Sequence, residues 1–207
     1  SREIRSVCLW DDAKRVLVST LSGEILELVC AGESNSVSAL EDPDAADKSV
    51  LRIGDDLNGG PLLRCHWDPV KQPAVYGLAK LSSGGFMSCG SDGIIRQWQT
   101  GDDIQHKEIK RVALDSGCRS LATSATSLAV GLDGSIQSRC NGLIKILSLE
   151  DFRTLADLST PTDYVNTLSF SADGTALAAG SQDKFIYVYH FDSEASSWEL
   201  KGKLSGH

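Results

Sequence analysis

The chain has 207 residues, 41% of them hydrophobic and 23% charged, with a formal net charge of −8. The 20 basic residues are dispersed, the densest cluster being three within 107–111, so the basic stripe of a nucleic-acid binder is excluded. No apolar run approaches the ~20 residues of a membrane span, and six single cysteines without a C-x-x-C pair argue against a zinc or redox motif and for a reducing, intracellular setting.

The first unit starts at Ser1-Arg2-Glu3, which reads as an internal position of a longer chain rather than a leader. Alternating apolar runs follow at 5–9, 16–21 and 25–28, each of strand length. Residues 31–72 break the pattern and contain the acidic run Glu41-Asp42-Pro43-Asp44-Ala45-Ala46-Asp47. We expect a fourth strand there and a mobile acidic loop over about 31–60. The second unit runs from Tyr76-Gly77-Leu78-Ala79 through the turns Ser82-Ser83-Gly84-Gly85 and Asp92-Gly93 to Trp98. The third runs from Arg119-Ser120-Leu121-Ala122 to Leu147, with an insertion at 134–140 where the other units need only a tight turn. The fourth runs from Asn166-Thr167-Leu168-Ser169 to Tyr189, and Gly206-His207 ends the chain on the dipeptide that would begin another unit.

Aligned, the units place Arg5, Tyr76, Arg119 and Asn166 in one column at the start of the first strand. Ser19, Gly90, Gly131 and Gly180 form a second column, and Leu28, Trp98, Leu147 and Tyr189 a third. A repeat of about 40–45 residues made of short strands is the signature of a WD40-type β-propeller. The expected fold is all-β: a partial propeller of about four consecutive four-stranded antiparallel blades, near 1–65, 66–112, 113–160 and 161–207. Such propellers usually close with about seven blades, and end blades need covering. The remaining blades of the same protein, or a second copy, are therefore expected partners.

The first column rings the central opening, where Arg5, Tyr76, Arg119 and Asn166 form a candidate protein-binding rim, Arg and Tyr being favoured at interface hot spots. The insertion, with Arg139, is expected to stand beside Arg119 and widen that face. A second set is structural. His66, Asp92 and Trp98 of the second unit, with Ser181 and Asp183 of the fourth, match the hydrogen-bonded network that ties WD40 strands to their turns; Tyr189 stands in the fourth unit's Trp column, and no His matches there. His106, in a polar connector, is expected to be solvated, and His190 to be on the surface. No cofactor, metal or catalytic residue is expected, since four scattered histidines lack H-x-H or H-E-x-x-H spacing.

These residues also resemble a family. Ile4-Arg5-Ser6-Val7 with residues 16–27, Val75-Tyr76-Gly77-Leu78-Ala79, and residues 177–189 are similar to blades of the echinoderm microtubule-associated protein-like (EML) family. The likeness covers four blades, about 130 of the 207 residues. It implies a non-catalytic scaffold from a tandem propeller that contacts tubulin in the cytoplasm, on the cytoskeleton, with no nucleic acid or membrane partner. The alternatives are a generic WD40 adaptor of a multiprotein complex and a propeller hydrolase.

Overall fold

The computed structural model describes residues 3–10, 15–21, 23, 25–29, 73–100, 106–133 and 142–205. The fifteen strands among them are β1 (Ile4–Trp10), β2 (Arg15–Thr20), β3 (Ile25–Val29), β4 (Val75–Lys80), β5 (Phe86–Gly90), β6 (Ile94–Thr100), β7 (His106–Ala113), β8 (Cys118–Thr123), β9 (Ser127–Leu132), β10 (Ile144–Ser148), β11 (Thr154–Leu158), β12 (Val165–Phe170), β13 (Ala176–Ser181), β14 (Phe185–Asp192) and β15 (Ser197–Ser205). They form one three-stranded sheet, β1-β2-β3, and three four-stranded sheets, each an antiparallel meander in chain order. The fold is all-β, a partial propeller of stacked blades. The acidic loop near 31–60, the expected fourth strand of the first blade, the insertion at 134–140, His66 and Arg139 lie outside the described residues.

The blades pack face to face, which is why both parities of their strands are apolar. Leu17 and Ile25 of the first sheet meet Val75, Leu78, Phe86 and Trp98 of the second. Met87 and Ile95 of the second meet Leu121, Leu128 and Leu147 of the third. Ala129, Ile144, Ile146 and Leu158 of the third pack against Leu168, Leu177, Tyr187 and Tyr189 of the fourth. The opposite flank of the fourth sheet repeats the covered flank of the third: Ala178, Ile186, Val188 and Leu204 stand at the register positions of Ala129, Ile144, Ile146 and Leu158. Leu158 is 7% exposed and Leu204 56%.

Register corrects the second column. The strand-two residues paired with Ile25, Ile95, Ile144 and Ile186 of the third strands are Ser19, Cys89, Gly131 and Gly180. Gly90 lies one residue further on. The cause is a cross-strand pair that shares one small volume. A Cβ on Gly131 would lie 2.4 Å from Ser120 Oγ, and one on Gly180 would lie 2.7 Å from Thr167 Cγ2. In the second blade the glycine has changed strands: Gly77 pairs with Cys89, whose Sγ is 2.8 Å from where a Cβ on Gly77 would sit. The first blade pairs two serines, Ser6 and Ser19.

Candidate functional site

Every first strand carries one register shift at the same place. It falls between Ile4 and Ser6, Val75 and Gly77, Cys118 and Ser120, and Val165 and Thr167. The residues skipped are Arg5, Tyr76, Arg119 and Asn166. The first column is thus a column of bulges, and a bulge re-aims a side chain that the pleat would otherwise fix.

Three of the four come together. The Arg5 guanidinium carbon lies 5.9 Å from the centre of the Tyr76 ring, and that of Arg119 lies 5.7 Å from the same ring. Arg119 also stacks on Tyr164, 4.1 Å from its centre. These separations fall within the ~6 Å range of cation–π attraction. The result is a ladder, Arg5–Tyr76–Arg119–Tyr164, that crosses four blades. Each arginine also has an acidic neighbour. Arg5 pairs with Glu3 at 3.1 Å, and Arg119 Nε donates to Asp133, which stands at the head of the inserted segment. Asn166 shares the bulge position and is exposed, but the fourth blade's rung is Tyr164. The register equivalents of Tyr164 are Glu3, Ala74 and Gly117, three unlike residues that mark no column.

The structural set divides by blade. In the second, Trp98 Nε1 donates to Ser88 Oγ at 2.9 Å, and the indole stacks on Phe86 at 5.9 Å. Asp92 accepts from Ile94 N at 3.1 Å and from Arg96 at 2.8 Å, and Arg96 also meets Glu108. In the fourth blade the network closes without histidine. Asp183 Oδ2 accepts from Thr162 N at 2.9 Å, Thr162 Oγ1 at 3.0 Å and Tyr187 OH at 2.8 Å, and Oδ1 accepts from Phe185 N at 3.1 Å. Ser181 Oγ donates to the Asp163 carbonyl at 3.1 Å and accepts from Asp183 N. Tyr187 bonds Asp183 from the register position that Arg96 holds beside Asp92, Tyr189 stands at the position of Trp98, and Thr162 supplies the two donors that no histidine supplies. Partial burial pushes the Asp183 carboxyl up, but its four donors outweigh this and hold it at about 2. Burial, then the bond to Asp183, pushes Tyr187 up to about 12.

His106 is not solvated. It is 8% exposed and sits edge-on to Phe86, ring centres 5.2 Å apart. As the first residue of β7 it begins that strand's inward-facing parity, which the polar connector hides. His190 is exposed, as expected. No helix among the described residues is long and apolar enough to cross a membrane.

The sheets, the repeated bulge and the turn network are those of a partial WD40-type β-propeller. The WD40 family description, "WD domain, G-beta repeat", matches residues 62–99 and 152–190. Within that class the chain is similar to EML proteins. It is 32% identical over 137 residues to echinoderm microtubule-associated protein-like 2 of Rattus norvegicus, covering 64% of this chain and 19% of that protein. It is 28% identical over 136 residues to the 77 kDa echinoderm microtubule-associated protein of Strongylocentrotus purpuratus, covering 64% and 18%. It is also 31% identical over 121 residues to WD repeat and HMG-box DNA-binding protein 1 of Xenopus laevis, covering 58% and 10%. The chain thus spans a fifth or less of the length of these relatives.

Proposed function

We propose that the chain is a non-catalytic interaction platform of an EML-like microtubule-associated protein in the cytoplasm, and that its Arg–Tyr ladder contacts tubulin. The observation that carries the reading is Tyr76 held between two guanidinium groups on the side where all four first strands begin. Such a row presents flat, amphipathic area with little side-chain entropy left to lose, the property that makes Tyr and Arg hot spots. The names of the relatives, microtubule-associated proteins, support tubulin as the partner. Asn166, exposed at the fourth bulge, extends the same face.

Co-sedimentation with microtubules tests the reading. The parent chain is expected to pellet with polymerised tubulin, and Tyr76→Ala and Arg119→Ala to bind more weakly by at least about fivefold, the effect of losing a residue worth over 1 kcal/mol. A parent that stays in the supernatant sinks the tubulin contact. The similarity to the Xenopus protein favours a second reading in that event, a WD40 adaptor whose ladder holds another protein.

A further inference from the structure

We propose that two copies of this chain stack head to tail, the first blade of each covering the fourth blade of the other, and close a ring of eight blades. The first and fourth sheets each leave one flank uncovered among the described residues. Those two flanks are the halves of a contact that the chain already makes between its third and fourth blades.

The fourth blade carries one half. Ala178, Ile186 and Val188 are half-buried and Leu204 is exposed, where Ala129, Ile144, Ile146 and Leu158 of the third blade are buried. Thr167 extends the match. It pairs with Gly180 as Ser120 pairs with Gly131. Ser120 Oγ donates across the blades to the Val165 carbonyl at 2.7 Å. Thr167 is exposed and stands where its hydroxyl would donate in the same way to a following blade.

The first blade carries the other half. Ile4, Val7, Leu9 and Val16 stand at the register positions of Val165, Leu168, Phe170 and Leu177, which pack against the third blade. Val165 and Leu177 have no exposed surface, whereas Ile4, Val7 and Leu9 are 50%, 58% and 62% exposed. The Ile4 carbonyl holds the position of the Val165 carbonyl that accepts from Ser120. Among the described residues, four of the seven exposed large hydrophobic side chains lie on these two flanks: Ile4, Val7, Leu9 and Leu204. An end repeat that faces water carries a polar outer face; a contiguous apolar flank marks an interface. One chain presents both halves, so a second copy covers both at once. A head-to-tail contact either closes into a ring or runs on as a filament. Propellers typically close with about four to eight blades. Two copies of four sheets give eight, and a third copy exceeds that range.

Sedimentation equilibrium of the full chain over a range of concentrations tests the ring. The parent should reach twice the chain mass and go no further. Val7→Asp and Leu204→Asp replace exposed side chains, so each variant should keep the parent's far-ultraviolet circular dichroism. Each strikes both of the ring's identical contacts and should raise the dimer dissociation constant at least about a hundredfold, about tenfold per contact. An equal mixture of the two variants keeps one contact intact, the fourth blade of the Val7→Asp chain on the first blade of the Leu204→Asp chain. The mixture should therefore re-form a dimer that neither variant forms alone. The proposal is overturned by a parent that stays monomeric at every concentration, its flanks then belonging to another occupant, or by masses that grow beyond two chains. It is equally overturned by a variant that stays dimeric like the parent, which a contact between two first blades or two fourth blades would give, or by a mixture that does not re-associate.

Discussion

Replacing Asp183 by alanine should destabilise the fourth blade by about 2–4 kcal/mol. The carboxylate holds the start of the blade (Thr162), the turn (Phe185) and the third strand (Tyr187) together through bonds of 2.8–3.1 Å. Truncation removes a charged acceptor and leaves the Tyr187 hydroxyl, on a side chain with no exposed surface, without its acceptor. Bonds to charged groups contribute about 1.5–3 kcal/mol, and an orphaned buried donor costs about 1–3. At about 2–4 °C per kcal/mol for a chain of this size, the melting temperature should fall by about 5–15 °C. The pH dependence gives a second reading of the same bonds. The folded carboxyl stands at about 2 against an ordinary 3.8, so folding favours the ionised form. Its contribution is complete above pH about 4 and is lost as pH falls through about 2, because the unfolded chain takes up the proton first. For a partly exposed carboxyl, solvent screening discounts the gap to about 1–2 kcal/mol. Asp173, tied to Ser171 and Thr175, titrates in the same window, so the informative quantity is the difference between parent and Asp183→Asn. Urea melts from pH 5 to 2 read it. Parallel losses in the two proteins, or an alanine variant within about 0.5 kcal/mol of the parent, would refute the reasoning.

Lys184 occupies φ of 73° in the turn where the second blade has Gly93 at 72°. Lys184→Gly should therefore stabilise by up to about 1 kcal/mol in thermal melts, whereas Gly93→Ala, whose Cβ would meet the Ser116 carbonyl at 2.8 Å, should destabilise. Gly180→Ala should cost about 1–3 kcal/mol. Because the one close contact of its Cβ is Thr167 Cγ2, adding Thr167→Ser should recover most of that loss in a double-mutant cycle. The bond to Cys118, then burial, pushes the Cys89 thiol well up, and neither side chain has exposed surface. Iodoacetamide at pH 8 should leave both unmodified in the folded chain and label them in urea; rapid native labelling would contradict the packing.

The sequence carries the architecture because it is written four times. Strand, turn and bulge positions recur, and the column Arg5, Tyr76, Arg119, Asn166 coincides with every first-strand bulge. What escaped it was whatever is not repeated. Tyr164 aligns with a glutamate, an alanine and a glycine, so no column announces the last rung of the ladder. Thr162 does a histidine's work with a backbone N–H and a hydroxyl, groups too common to flag. Gly90 falls in the second column although Cys89 holds the register position, because a column compares residues one at a time. The constraint acts on a pair, and Gly77 had already met it from the other strand.

That pair constraint bears on exchanging parts between blades. A chimera that gives the second blade the middle strand β13 sets Gly180 opposite Gly77 and opens a void. One that gives it the inner strand β8 drives Ser120 against Cys89. Moving the two strands together as a hairpin preserves their joint volume in either direction. The smallest interchangeable module of this propeller is therefore the first hairpin of a blade, and recombination breakpoints placed between its two strands should be poorly tolerated while those after the second strand survive.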